Sequence, residues 1–187
     1  YIARQDADDF SYPTRLKEEV SMLNNNEKII LVGTWYTVTY QDSSSVLISY
    51  SGSDSAIRRD IFYKNPFCHS SVMFDKKTYD SLSGYNPNYK VSQDLDLWFK
   101  MLSVGKAGIV KKNLVKRSIH ENCISKSKLS RYQAYNSFKI RKKYLATIDF
   151  NASIFTLYIA LIYQIVMMLV PNMAAKRISA FVSLIKK

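Results

Sequence analysis

Three carboxylates fall within four residues near the start of this 187-residue chain, in the run Arg4-Gln5-Asp6-Ala7-Asp8-Asp9. Unpaired buried carboxylates cost too much to be tolerated, so this cluster either dissolves in water on a loop or gathers round a cation. Tyr1-Ile2-Ala3 reads as the end of a buried strand, and Phe10-Ser11-Tyr12-Pro13 as a turn into a helix. Open α/β sheets take their ligands at the carboxyl ends of strands. Hard oxygen donors placed there suit Mg2+ or Mn2+ bridging phosphate groups. A solvated acidic turn is the competing reading of the same residues. Two sharper alternatives fail on spacing. A calcium loop of the EF-hand kind needs Gly at its sixth position and Glu at its twelfth, where a count from Asp6 meets Ser11 and Lys17. An aspartyl-phosphate motif wants Thr or Val where Phe10 stands.

The elements that must position these groups follow from periodicity and punctuation. Leu16, Val20 and Leu23 recur at helical spacing after Pro13, and Asn24-Asn25-Asn26 ends that run. Ile29 to Val32 reads as a short strand closed by Gly33, with β-rich sequence from Trp35 to Tyr40 and a Ser/Asp-rich hairpin around Val46-Leu47-Ile48. A short helix is expected over 56–63, a turn feeding a strand over 65–74, and a turn at Ser83-Gly84-Tyr85. Ser92 is placed as the N-cap of a helix carrying Asp94 and Asp96 in its first turn, a favourable position for carboxylates. Two strands, 107–110 and 114–119, and a basic helix over about 129–145 complete the pattern.

Charge divides the chain. Residues 1–99 hold 10 Lys/Arg against 13 Asp/Glu, whereas 100–187 hold 17 against 2, within a net charge of +12. A basic half suits either nucleic acid or an anionic membrane. The apolar run from Ile154 to Val170, flanked by Lys139, Arg141, Lys142, Lys143, Lys176 and Arg177, favours the membrane, and no nucleic-acid partner is expected. Seventeen helical residues reach about 26 Å, just short of a ~30 Å hydrocarbon core. A re-entrant or interfacial pair of helices, a single span and a soluble core helix all remain open for this segment. Cys68 and Cys123 are too few for a disulfide framework and lack metal-site spacing. Because the chain opens on Tyr inside strand-like sequence, a preceding segment is expected.

Four places, in order, carry a resemblance: YIARQDADD, NPFCHSSVMF, SGYN with SQDLDLWFKM, and VKRSIHENCIS. Together they closely resemble the catalytic half of family 2 glycosyltransferases, the inverting nucleotide-sugar transferases of the A-type fold. The resemblance implies an α/β fold: the carboxyl-terminal portion of that mixed sheet, followed by hydrophobic and amphipathic helices. It divides the chain into a partial catalytic domain over 1–125, lacking its nucleotide-binding first half, and a basic, membrane-associated helical tail over 126–187.

The same resemblance implies a sugar passing from a nucleotide-diphosphate donor to a glycan or lipid-linked acceptor in surface polysaccharide synthesis. A divalent Mg2+ or Mn2+ would offset charge on the leaving diphosphate. Asp6 and Asp8 match the family's metal and ribose contacts, with Asp9 a second ligand or an orienting group. Asp94 matches the general base that takes the acceptor hydroxyl's proton, although Gln93 replaces the Glu that usually precedes it. His69 and Trp98 fall on the acceptor side, His69 reading equally as a near-core histidine and Trp98 as packing. Asp96 also reads as a helix-terminus carboxylate. His120, helped by Arg117, matches the late histidine near metal and diphosphate, or is a surface-loop residue. Arg4, Gln93, Asp96 and Arg117 are the supporting groups. The expected location is the cytoplasmic face of the cell membrane, beside anionic lipid and held peripherally, re-entrantly or by one span. The alternative function is a non-catalytic, membrane-associated glycan-binding remnant of such an enzyme.

Overall fold

The structure, a computed structural model, describes residues 1–119 and 130–145, together with 158, 159, 162, 165 and 166. Six strands, β1 (Ile2–Ala3), β2 (Phe10–Ser11), β3 (Ile29–Thr39), β4 (Ser45–Ile48), β5 (Val72–Phe74) and β6 (Lys106–Ser118), form one mixed sheet. Its order is β1-β5-β3-β6-β2, with β4 paired to the second half of β3. β3 and β6 run parallel, while β5 lies antiparallel to both β1 and β3. The carboxyl ends of β1, β3 and β6 therefore point the same way. Mixed α/β architecture is as expected.

Period-two alternation sorts the sheet's side chains into two layers. Leu31, Phe74 and Ile109 face a large core shared with α2 (Asp54–Asp60), α4 (Gln93–Leu102) and α5 (Ser130–Tyr144). Their neighbours Val32, Met73 and Val110 face the other way, against Leu23 of α1 (Arg15–Asn24). A short helix α3 (Lys76–Ser81), absent from the sequence reading, is capped by Asp75, whose carboxylate accepts from the Thr78 amide at 2.7 Å.

Several boundaries differ from expectation for identifiable reasons. Gly33 does not end a strand; β3 runs straight through it. Its missing side chain instead admits Phe67, because a Cβ there would lie 2.6 Å from that ring. The two late strands are one, β6, whose register against β3 jumps between Val110 and Asn113 so that Lys111 and Lys112 bulge out and stay exposed. Basic residues in mid-strand imitate a break. Helix α1 is turned by one residue from the expected face: Arg15, Glu19 and Leu23 point inward, and Leu16 is exposed. Among the described residues no helix is long and apolar enough to cross a membrane. Twelve of the seventeen residues of the expected segment 154–170 lie outside them.

Helix α5 falls beyond the boundary read at residue 125, yet it packs into the same core as α4. Ile140 is fully buried, the Tyr144 ring stacks on Phe99 at 5.0 Å, and Arg141 Nε donates to the Ile61 carbonyl at 2.9 Å.

The inward Glu19 gives a pH-dependent stability. Burial, working against the pull of Arg15, pushes its carboxyl from 4.5 up to about 7. Between those values the folded protein holds a proton that the unfolded chain has released. Stability should therefore fall as pH rises through this window, by up to about 1.4 kcal/mol per pH unit. Glu19→Gln should flatten that slope, as read from denaturation midpoints across the window; an unchanged slope would place the proton elsewhere.

Candidate functional site

The carboxylate run follows β1 as a tight turn, closed by the Asp9 amide donating to the Asp6 carbonyl at 3.2 Å. A 3₁₀ turn, His69–Ser71, enters β5 beside it. Three successive features of that turn serve the loop. Ser70 Oγ accepts from the Asp6 amide at 3.1 Å, His69 faces the Asp6 carboxylate, and the Val72 carbonyl accepts from the Arg4 amide at 2.9 Å.

Around Asp6 the side chains form a connected set. Arg4 Nη2 donates to Asp6 Oδ1 at 3.0 Å, and Arg4 Nε donates to His69 Nε2 at 3.2 Å. Arginine can only donate, so Nε2 accepts and the ring proton sits on Nδ1, 3.6 Å from Asp6 Oδ1. The Tyr85 hydroxyl meets the same Nε2 at 2.9 Å. Burial pushes the Tyr85 phenol up to about 12, so its hydroxyl stays protonated. Burial lowers the His69 pKa, outweighing the opposite pull of Asp94 and Asp6 and keeping the ring neutral. Tyr85 reaches this position from a turn in which both Ser83 and Gly84 adopt positive φ, 57° and 54°. Glycine takes that conformation freely, whereas serine here bears a strain of about 1 kcal/mol.

Asp94 opens α4 at the same end of the sheet. Asn65 Nδ2 donates to its Oδ2 at 3.0 Å, while Asn65 Oδ1 accepts from the Phe67 amide at 3.1 Å. His69 and Tyr85 both feel the Asp94 charge, as they feel that of Asp6. Asp94 and Asp6 thus lie close enough to act on the same two side chains. Gln93 precedes Asp94 at the start of the helix. Asp9 orients the far side: its Oδ1 accepts from the Ser118 amide at 3.0 Å and ties the loop to the end of β6, next to Arg117. His120 lies outside the described residues.

Trp98 is completely buried, packed against Phe67, Phe74 and His69 as floor beneath the site, in keeping with its reading as packing. Two expectations change. Ser92 precedes α4 in a left-handed conformation, φ 63°, and makes no side-chain cap; its hydroxyl lies 3.1 Å from Ser137 Oγ on α5. Asp96, fully buried, turns away from solvent toward α5. Its Oδ1 accepts from the Tyr144 hydroxyl at 3.2 Å and lies 3.5 Å from Lys143 Nζ, with Lys100 Nζ 3.8 Å from Oδ2. Asp96→Ala should destabilise the protein by about 2–3 kcal/mol, since it leaves cations and a buried hydroxyl without their partner. Thermal melts would show it; an unchanged melting temperature would mean that water serves these groups equally well.

Sequence reasoning passed over Asn65 and Tyr85 because both sit in turn-forming dipeptides, Asn65-Pro66 and Gly84-Tyr85, whose bend explains them without any site. A tyrosine and an amide opposite a lone histidine were the available signal.

Among the described residues no three His, Cys, Asp or Glu side chains gather closely enough to hold a metal by themselves. The donor set is nevertheless of the right kind for Mg2+ or Mn2+. Such ions commonly take one or two protein carboxylates and fill the remaining positions with phosphate oxygens and water. Asp6 and Asp8 would supply such a pair, in a loop where carboxylates outnumber cations.

The chain is 32% identical over 111 residues to EpsE of Bacillus subtilis, which is named as a glycosyltransferase, covering 58% of this chain and 39% of that protein. Similarity of 27% over 144 residues links it to the O-antigen biosynthesis glycosyltransferase WbnJ of Escherichia coli, covering 75% of this chain and 56% of WbnJ. The chain is similar to glycosyltransferases. An uncharacterized glycosyltransferase of Methanocaldococcus jannaschii matches at 27% over 149 residues, 76% of this chain and 51% of the relative. The chain thus spans 39 to 56% of the length of these glycosyltransferases. No protein-family model matches it. The curled mixed sheet with its carboxylate loop at the strand ends is consistent with a nucleotide-sugar transferase domain.

Proposed function

We propose that this chain is the carboxyl-terminal, acceptor-side part of a family 2 inverting glycosyltransferase. It would transfer a sugar from a nucleotide-diphosphate donor to a glycan or lipid-linked saccharide in surface polysaccharide synthesis. One observation carries the reading most: the carboxylate loop and Asp94 come from opposite ends of the chain segment 1–102, yet the charges of Asp6 and Asp94 both act on His69, with Asp6 3.6 Å from its ring. Inversion needs this division of labour, with the donor's diphosphate held on one side and a base on the other face of the sugar.

Asp6 and Asp8 would hold a Mg2+ or Mn2+ ion, with Asp9 keeping their loop against β6. When bound, that ion supplies Lewis-acid stabilisation of the leaving diphosphate. Asp94 accepts the proton of the acceptor hydroxyl, and Asn65 holds its carboxylate in place. The Tyr85 hydroxyl, its O–H donating to His69 Nε2, offers its oxygen to a sugar or acceptor hydroxyl between the two. Arg117 and His120 would serve the diphosphate side. In the full-length protein, a nucleoside diphosphate should bind only with Mn2+ or Mg2+, and the transferred sugar should carry the inverted anomeric configuration. Metal-independent binding, or retention, would defeat this proposal.

The basic tail gives the reading its location, at the cytoplasmic face of the membrane beside anionic lipid. Deleting residues 152–187 should move the protein from the membrane to the soluble fraction. Full-length protein that stays soluble and ignores anionic liposomes would contradict this.

A further inference from the structure

Arg15 is a charged residue buried on the inner face of α1, only 2% exposed, and its hydrogen bonds run outward from the helix. A guanidinium carries five N–H donors in a rigid fork, and here all five are engaged. Nε donates to Glu19 Oε1 at 3.1 Å. Nη1 donates to Gln5 Oε1 at 2.9 Å and to Ser11 Oγ at 2.8 Å. Nη2 donates to the carbonyls of Arg4 at 2.7 Å and Val72 at 3.1 Å. Only the first of these stays within the helix. The other four end on residues that bracket the carboxylate loop: Arg4 and Gln5 at its entry, Ser11 at its exit, Val72 beside it. Gln5 extends the connection, its amide nitrogen donating to the carbonyls of Asp6 at 3.1 Å and Asp9 at 2.7 Å.

We infer that Arg15 is a positioning residue for the donor site: acting through Gln5 and Ser11, it fixes the backbone of residues 5–9 so that Asp6 and Asp8 meet the metal–diphosphate group together. The role in donor binding rests on the function proposed above; the hold on the loop does not. Stability alone is a poor reason for the buried pair of Arg15 and Glu19. Replacing such pairs by apolar side chains is often neutral or stabilising. Glu19 is fully buried, its Oε2 has no hydrogen-bond partner, and burial raises its carboxyl to about 7. An apolar α1 face would pack at least as well. It could not supply four donors to the two ends of the loop.

Two variants of the full-length protein separate positioning from packing. Arg15→Met/Glu19→Leu replaces the pair by apolar side chains of similar reach, and should melt near the wild-type temperature. Gln5→Ala cuts the relay while leaving α1 intact. In both, the amides of residues 5–9 should exchange with deuterium about tenfold faster. Mn2+ binding in the presence of inorganic pyrophosphate should weaken by about 10–100-fold, the usual loss when a group behind a metal ligand is removed. Wild-type loop exchange in a folded double variant, or in Gln5→Ala, overturns the inference. If the double variant fails to fold, Gln5→Ala decides alone. If wild-type protein binds no Mn2+–pyrophosphate, the proposed function fails, and loop exchange still judges whether Arg15 sets the loop.

Discussion

Asp94→Asn should slow sugar transfer by about two to four orders of magnitude, the usual contribution of a positioned general base, while leaving donor binding nearly unchanged. The substitution is isosteric, and an asparagine oxygen can still accept the Asn65 Nδ2 bond now made at 3.0 Å. Only the capacity to take a proton disappears. Asp96→Asn is the natural control. It sits one half-turn further along α4 but points into the core toward Tyr144, so its cost should register in the melting temperature and much less in turnover. Steady-state rates and donor affinity for both variants would settle the matter. A rate for Asp94→Asn equal to wild type would remove the base from this helix.

Asp8→Ala should abolish transfer and weaken metal-dependent donor binding together. Loss of one metal ligand removes charge that a water molecule cannot replace. Asp8 is exposed on the turn that the Asp9 amide closes onto the Asp6 carbonyl. The variant's melting curve is the control for the fold. That control makes the test sharp: an inactive variant with an unchanged melting curve has lost a ligand and not its fold. Calorimetric titration of Mn2+ with a nucleoside diphosphate measures the first quantity. Wild-type affinity in the variant would move the metal away from this loop.

Much of this arrangement is legible in the residues themselves. The acidic run after an apolar stub marks a strand end, and the structure places it there, bordered by the helix that carries Asp94. The hairpin at 45–48 and the basic helix at 130–144 also follow from local pattern. Where the reading slips, local signals compete with longer-range packing. Gly33 looks like a stop because glycine usually is one in a short apolar run, but Phe67 comes from more than thirty residues away to fill the gap. Lys111-Lys112 looks like a loop because paired lysines are rarely found in a strand, and a bulge accommodates them. Arg15 and Glu19 look like an exposed helical ion pair. Nothing local says that the acceptors waiting for Arg15 lie on the loop before it and on β5. Asn65 and Tyr85 are hidden for the same reason, their roles depending on partners brought close only by folding.

Helix α5 has a consequence for where this protein can be divided. Its Tyr144 covers Phe99, its Ile140 fills the core, and its Ser137 and Asn136 take up Ser92 and the Val91 carbonyl just ahead of the helix that carries Asp94. A polypeptide cut at residue 125 would expose that surface to water and leave Asp96 with Lys100 alone. A piece that keeps the contacts of Asp94's helix with α5 must extend through Tyr144. The basic α5 is therefore a structural wedge against α4, whatever its charge also does.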